Sequence, residues 1–449
     1  MSNEEERKIN FIQNSLPKLI QSHNEEFRDQ IIVSCDVRGN EQLDGFMSSL
    51  YFLNMRMKYA DGSGTKVYKM IVKIMKGDEN FRNETNAAAL CLNELHIYRD
   101  VIPYFQKFLV DINIKAFDPH QWVPKVYFAD AKIIEELGDN EETILVMENL
   151  TPKHFRMGPR VDLDEPHLEL MAKLIASYHA VSYAMRINQD PMLEKLVKGL
   201  IPYSFFASDG SVLDAQQTFY KTGLKRVFNC VIKDEKLHAN KKFIQDVKNL
   251  KKVAFEHPLK FMESFLAKDE VFSIILHGDY NRNNVLFHYM EPDGYDEPTD
   301  IRMIDFQEVR YGTPAIDIAF FMYMNMPGAL REEYWDKLLK IYHKTLTKCL
   351  REILNCYKDD PRLKPYDYDN FIAHFNENAL YGAVVAMVFI PMMACPEDEC
   401  ARLTELYDND FLSKELEELT LSCGGRNVDN RIIEILQHAS KKGYLDILK

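Results

Sequence analysis

The chain has 449 residues, 46% hydrophobic and 28% charged, which is typical of a soluble globular protein long enough for two or three domains. A formal net charge of −14 would repel polyanions, so neither nucleic acid nor a membrane is expected as a partner. The N-terminus lacks the apolar core of a signal peptide and the eight cysteines are scattered, so a cytoplasmic location with reduced thiols is expected.

The first part of the chain combines helical and β-like patterns. Residues 1–30 are expected to be helical, because their apolar positions recur at helical spacing. From Ile31 onward apolar and polar residues alternate, and Asp61-Gly-Ser-Gly64 lies between two alternating runs, which predicts a β-hairpin. Lys73 falls in the third β-like run, where Lys66 and Lys69 are expected to face solvent. The pattern therefore predicts three antiparallel strands.

A helix rich in alanine and leucine follows these strands. It is expected to begin near Asn83 or Thr85 and to be interrupted at Pro103. Glu94 lies in its middle, and Glu84 is a second glutamate on the same segment.

The next β-like run, TILVMENL, ends at Glu148 and Asn149. We predict a domain boundary there, with an N-terminal domain over residues 1–148 and a C-terminal domain over residues 149–449. Most of the second part has helical periodicity. The apolar run at 381–394 contains a proline and is too short to span a bilayer, so it is expected to be a buried helix.

The stretch HGDYNRNN, His277 to Asn284, interrupts two β-like runs with polar residues at fixed spacing. The second run, NVLFHYM, meets a turn-rich segment and returns as IRMIDF, which contains Asp305. This pattern predicts a hairpin that brings Asn284 and Asp305 together. An amide oxygen beside a carboxylate suits Mg²⁺, which prefers hard oxygen ligands. Asp279 is then free to receive a proton.

One aspartate that orients a hydroxyl nucleophile, with an asparagine and a second aspartate for metal, is the arrangement of phosphoryl-transfer enzymes. The motifs HGD-x4-N and IDFQ, followed by RYGTPAIDIAFF, resemble the ecdysteroid kinase-like family of arthropods, which is related to choline kinases and aminoglycoside phosphotransferases. The resemblance implies an α+β, protein-kinase-like two-lobe fold, with a small antiparallel β lobe and a large, mainly helical lobe. It also implies ATP and Mg²⁺ as cofactors.

The resemblance assigns further residues to nucleotide binding. It implies that Lys73 pairs with the α- and β-phosphates, that Glu94 holds this lysine, and that Gly45 and Ser48 contact phosphate. Glu84 stays open as an alternative to Glu94. The hinge around Glu148 and Leu150 would hold the adenine through backbone groups.

Two residues are expected to support the catalytic loop. The resemblance implies that His277 braces the loop without transferring a proton. Asp317 would fix the loop through backbone N–H groups. His179, alone on a helix, is expected to be a satisfied core residue.

The resulting hypothesis is a kinase that phosphorylates an alcohol hydroxyl of a small molecule, an ecdysteroid or a similar hydroxylated compound. Asp279 would be the base, and Asn284 and Asp305 the metal ligands. Alternatives are a choline-, aminoglycoside- or xenobiotic-directed kinase, and a non-catalytic protein that binds a hormone.

Overall fold

The protein forms a small β-rich lobe followed by a large helical one. The computed structural model describes residues 3–39, 48–77, 79–115, 117–201, 214–291, 294 and 297–449. The predicted α+β class, with a small antiparallel lobe and a larger helical lobe, is confirmed.

The small lobe is built on one five-stranded antiparallel sheet in the order β1-β2-β3-β5-β4. Its strands are β1 Gln30–Gly39, β2 Ser48–Tyr59, β3 Thr65–Met75, β4 Val126–Ile133 and β5 Glu141–Glu148. The predicted turn between β2 and β3 is present: Gly62 has φ +78°, and the Ser63 N–H donates to the Asp61 carboxylate at 2.8 Å. The three predicted antiparallel strands are β1, β2 and β3, the β-like run that ends at Glu148 is β5, and β4 completes the sheet.

Two helices, α1 Asn3–Asn14 and α2 Leu16–His23, cover one face of this sheet. Their apolar residues Phe11, Ile12, Leu16 and Ile20 are buried in a core shared with the strands. The helical prediction for residues 1–30 is therefore confirmed for residues 3–23, apart from a break at Ser15, and is wrong beyond His23, where a 3-10 turn at Glu25–Phe27 leads into β1.

The connection between β3 and β4 is helical but broken. It comprises α3 Glu79–Thr85, α4 Ala87–His96, a π-helical turn Ile97–Val101 and α5 Ile102–Asp111. Asn86 has φ +55°, which separates α3 from α4. The alanine- and leucine-rich helix α4 begins at Ala87, two residues after the predicted start at Thr85, and the prediction missed the separate helix α3 that begins at Glu79.

The large lobe contains two small sheets. Their strands are β6 Phe155–Arg156, β7 Ile274–Ile275, β8 Val285–His288, β9 Asp300–Met303 and β10 Tyr311–Gly312. The first sheet has the order β6-β8-β9, and β7 pairs with β10 in the second.

Helices make up most of the rest of this lobe, and several of them are almost fully buried. They are α6 Glu165–Ile187, α7 Pro191–Lys198, α8 Asp214–Lys233, α9 Lys241–Ala254, α10 Pro258–Glu263, α11 Ala315–Asn325, α12 Gly328–Ile353, α13 Tyr368–Asn378, α14 Leu380–Ala394, α15 Glu397–Asn409, α16 Lys414–Ser422 and α17 Gly425–Lys441. α14 is the helix expected at 381–394, and it is buried as predicted.

The main hydrophobic core extends across the predicted domain boundary. It includes Tyr98, Phe105 and Leu145 from the first part of the chain together with residues of α6. The boundary at Asn149 stays a prediction.

We find no single helix in the described ranges that combines the length and the apolar character required to cross a membrane. Pro361–Asn378 and Leu380–Ala394 meet those criteria only as a pair, across a 46° bend.

Candidate active site

Lys73 connects the small lobe to the large one. It lies on β3, where it pairs with Leu50 of β2 and Leu145 of β5, and only 8% of it is exposed. Its Nζ contacts Glu94 Oε2 at 2.7 Å and Asp305 Oδ1 at 3.0 Å. The lysine on the third strand thus reaches both carboxylates that the sequence singled out.

The ion pair between Lys73 and Glu94 is buried, and Asp305 supplies a second carboxylate that decides the pKa of the lysine. Burial alone would lower the pKa of Lys73, but Asp305 and Glu94 together raise it above its usual value. Burial raises the pKa of Glu94, and contact with Lys73 opposes this shift. The lysine therefore remains charged. The side chain of Glu84, the alternative partner, lies outside the described residues.

The two strand lysines that were expected to face solvent, Lys66 and Lys69, differ from Lys73 in exposure. Lys69 is exposed, and half of the Lys66 side chain is exposed beside Glu26. Both face away from the site, as predicted.

The predicted catalytic loop, His277 to Asn284, follows β7 and bends sharply at Gly278, which has φ +90°. A Cβ at this position would lie 1.8 Å from the backbone oxygen of Glu308, so only glycine allows this approach. The bend presents Asp279, whose Oδ1 accepts from Asn281 Nδ2 at 2.8 Å and whose Oδ2 accepts from Asn284 Nδ2 at 2.6 Å. Two amides therefore fix the orientation of the carboxylate.

The predicted hairpin places the two candidate metal ligands side by side. β8 and β9 pair antiparallel with Val285 opposite Met303, and the Ile304 N–H donates to the Asn284 carbonyl at 2.9 Å. Asp305 then turns out of the strand with φ +64°. Asn284 and Asp305 consequently lie at the same end of the hairpin.

This pair fits a magnesium ion. The Asn284 Nδ2 atom donates to Asp279, which leaves its amide oxygen available, and Lys73 bonds Oδ1 of Asp305. In the described part of the chain no donor contacts the Asn284 amide oxygen or Asp305 Oδ2. Those two oxygens are the hard ligands that Mg²⁺ prefers, with its other positions kept for water and phosphate. The described residues contain no cluster of three or more His, Cys, Asp or Glu that could hold a metal.

Asp317, in the first turn of α11, holds the backbone at the start of the catalytic loop. Its Oδ2 accepts from the His277 N–H and its Oδ1 from the Gly278 N–H, each at 2.8 Å. His179 Nε2 lies 3.1 Å from the same carboxylate, and its Nδ1 lies 2.9 Å from the Tyr342 hydroxyl. His179 is therefore a core residue with both ring nitrogens bonded.

His277 is in a position to brace the loop. It is fully buried, its Nε2 lies 3.0 Å from the Ile304 carbonyl, and burial lowers the pKa of its imidazole. The Nε2–H of a neutral ring donates to the backbone carbonyl next to Asp305 and so couples the two loops.

An aromatic cluster, which the sequence pattern did not indicate, packs beside the site. The Phe306 ring lies 4.4 Å from that of His277 and 5.5 Å from that of Tyr98. Tyr98 belongs to the π-helical turn after α4, a feature frequent near functional sites. No sequence pattern indicated this π-helical turn.

Two more residues surround Asp279 without having been predicted. Asn281 bonds its carboxylate, and Glu308, paired with Arg310 at 3.0 Å, packs its backbone oxygen against Gly278. Burial, then the charges of Glu308 and Asp305, raise the pKa of Asp279 well above its usual value. A bound cation would oppose that shift.

The predicted nucleotide contacts are only partly described. Glu148 ends β5 and its carboxylate pairs with Lys153 at 2.6 Å. Leu150 is buried, and within the described chain its N–H has no hydrogen-bond partner, so it is available to a ligand. Ser48 is buried, with its hydroxyl 3.2 Å from Gln307 Nε2. Gly45 lies outside the described residues.

Comparison with known proteins decides the family. Residues 42–355 match the model of the ecdysteroid kinase-like family, which is more than half of the chain. The chain belongs to this family. Proteins of this family are of the small-molecule kinase type. The chain is therefore a phosphotransferase of the small-molecule kinase type, and its fold is protein-kinase-like. A search of curated protein sequences gives no match.

Two solved structures align over almost the entire chain. The ADP-bound aminoglycoside phosphotransferase APH(2'')-Ib is 13% identical, with a TM-score of 0.31 and coverage of 96% of this chain and 98% of its own. An ethanolamine kinase from Plasmodium vivax is 12% identical, with a TM-score of 0.32 and coverage of 93% and 96%.

Proposed function

We propose that this ecdysteroid kinase-like protein is an ATP- and Mg²⁺-dependent kinase that phosphorylates a hydroxyl group of an ecdysteroid or a similar hydroxylated small molecule. The observation that carries the proposal is the contact of Lys73 with Asp305 across the two lobes, at 3.0 Å. In this proposal the contact joins Lys73, which would bind phosphate, to Asp305, which would bind the metal. Asp279, which two amides orient, lies beside them.

In this proposal Asp279 orients the acceptor hydroxyl and accepts its proton. Asn281 and Asn284 hold the carboxylate in one orientation, so little reorganisation is needed when the substrate arrives. Positioning and electrostatic stabilisation supply most of the rate in phosphoryl transfer.

Asn284 and Asp305 would hold the metal, and Lys73 would bind the α- and β-phosphates while Glu94 fixes its position. When bound, Mg²⁺ neutralises charge that develops on the phosphate oxygens. The Leu150 N–H and the Glu148 carbonyl would bind adenine at the hinge. A cytoplasmic location suits the eight free cysteines, since thiols stay reduced there.

The test is phosphoryl transfer from ATP to a panel of hydroxylated acceptors: ecdysone, choline, an aminoglycoside and plant phenolics. The proposal expects an ecdysteroid product heavier by one phosphoryl group, formed only with Mg²⁺. Transfer only to choline or only to a phenolic would mean that the acceptor belongs to that class and is not an ecdysteroid. Binding of ecdysone without transfer to any acceptor would favour a non-catalytic hormone-binding protein.

A further inference from the structure

Gln307 makes an unusual contact between the lobes. It lies two residues after Asp305, and 8% of it is exposed. Its Nε2 lies 3.2 Å from Ser48 Oγ and 3.7 Å from Cys91 Sγ. Both partners belong to the small lobe, and both are buried.

The two partners lie on the elements that carry the lysine pair. Ser48 opens β2, which pairs along its length with β3, the strand of Lys73. Cys91 is on α4, three residues before Glu94, and therefore on the same side of that helix. The Gln307 amide thus connects the Asp305 loop to β2 and to α4. These two elements position Lys73, β2 by pairing with its strand and α4 by carrying Glu94.

We infer that Gln307 is a positioning residue for Mg·ATP: it holds Asp305 against Lys73 and Glu94 and so keeps the nucleotide site assembled. This inference rests on the proposed function. The amide nitrogen bonds Ser48 and Cys91, so it acts through Asp305, whose left-handed backbone (φ +64°) requires support from its surroundings.

A buried glutamine could also serve packing alone, and the two roles predict different measurements. A packing role lowers stability and leaves nucleotide affinity unchanged in the folded protein. A positioning role weakens Mg·ATP binding at a temperature where the variant is fully folded, and raises KM for ATP more than it lowers kcat.

The experiment is a double-mutant cycle with Gln307→Met and Ser48→Ala, read out by direct calorimetric titration of Mg·ATP and by unfolding temperature. Gln307→Met keeps the length of the side chain and removes the amide. We expect affinity about 10-fold weaker for Gln307→Met and about 3-fold weaker for Ser48→Ala, as for loss of one buried hydrogen bond. The double variant should resemble Gln307→Met, because the two residues share the interaction.

Gln245→Met is the matched control, since Gln245 is exposed on α9, and it should bind like wild type. Unchanged affinity in folded Gln307→Met, or fully additive losses in the double variant, would overturn the inference. If Gln307→Met does not fold, Ser48→Ala alone decides: unchanged affinity overturns the inference. A wild-type protein that binds no Mg·ATP would instead contradict the proposed function.

Discussion

The ring of Phe306 stacks on the imidazole of His277, with the centroids 4.4 Å apart and the planes inclined by 29°. Phe306 follows Asp305, the proposed metal ligand, and His277 begins the loop of Asp279, the proposed base, so this contact joins the two loops of the candidate site. The same imidazole bonds the Ile304 carbonyl. The site therefore depends on buried packing as much as on its charged residues.

Gly278→Ala should disrupt the catalytic loop, because the new Cβ would meet the Glu308 carbonyl at 1.8 Å and φ is +90°. Gly62→Ala is the control: φ is +78° and no atom lies within 4 Å of its Cβ, so it should cost only about 1 to 2 kcal/mol for the left-handed backbone. We expect Gly278→Ala to cost about 2 kcal/mol more in urea unfolding. Equal losses for the two variants would contradict the proposed close approach.

Asp317→Asn should lower stability by about 3 kcal/mol, because an amide cannot accept from both backbone N–H groups and leaves one of them unsatisfied in the core. Urea unfolding measures this loss. The exposed Asp139→Asn should stay within about 0.5 kcal/mol of wild type. A loss below about 1 kcal/mol for Asp317→Asn would mean that the loop does not depend on this carboxylate.

Asp305→Ala should abolish the gain in nucleotide affinity that Mg²⁺ provides. Titrating ATP with and without Mg²⁺ separates this metal role from the contact of Asp305 with Lys73. Wild type should bind at least about 10-fold tighter with the metal, the usual effect of one well-placed charged ligand. The exposed Asp111→Ala should keep the full gain. A variant at Asp305 that responds to Mg²⁺ like wild type would remove this residue from the metal site.

His438 should make the protein less stable in mild acid. Burial, then the cations Arg331, Lys442 and Lys441, lower its pKa to about 3. The folded pKa is depressed, so the unfolded chain binds the proton first. Stability is complete above the unfolded value near pH 6.5 and is lost as the pH falls toward 3.

By pH 5 this loss should reach about 2 kcal/mol. His438→Gln, which cannot take up the proton, should show a shallower decline between pH 7 and pH 5 in urea unfolding. The exposed His238→Gln should follow wild type. Identical slopes for wild type and His438→Gln would show that this histidine does not control acid stability.

Local patterns predicted the features that depend on neighbouring residues. The turn-rich segment after Asn284 indicated a hairpin, and the hairpin brings Asn284 to Asp305. The assignment of Lys73 and Glu94 depended on family resemblance, because no local pattern distinguishes a strand lysine that crosses to the other lobe from one that faces solvent.

Contacts between distant segments could not be predicted in this way. Gln307 and Ser48 are 259 residues apart, and each is unremarkable in its own segment. The left-handed backbone of Asp305 and the π-helical turn at Tyr98 also follow from no local sequence rule.

The most direct test of the account is phosphoryl transfer by Asp279→Asn, with the acceptor that wild type phosphorylates and with Mg·ATP binding measured in parallel. The asparagine keeps the shape of the side chain but cannot accept the proton. We predict turnover lower by about 10² to 10⁴-fold and nucleotide affinity within about 3-fold of wild type, with the exposed Asp359→Asn as an active control. Near-wild-type turnover in Asp279→Asn would contradict the central claim that Asp279 is the base.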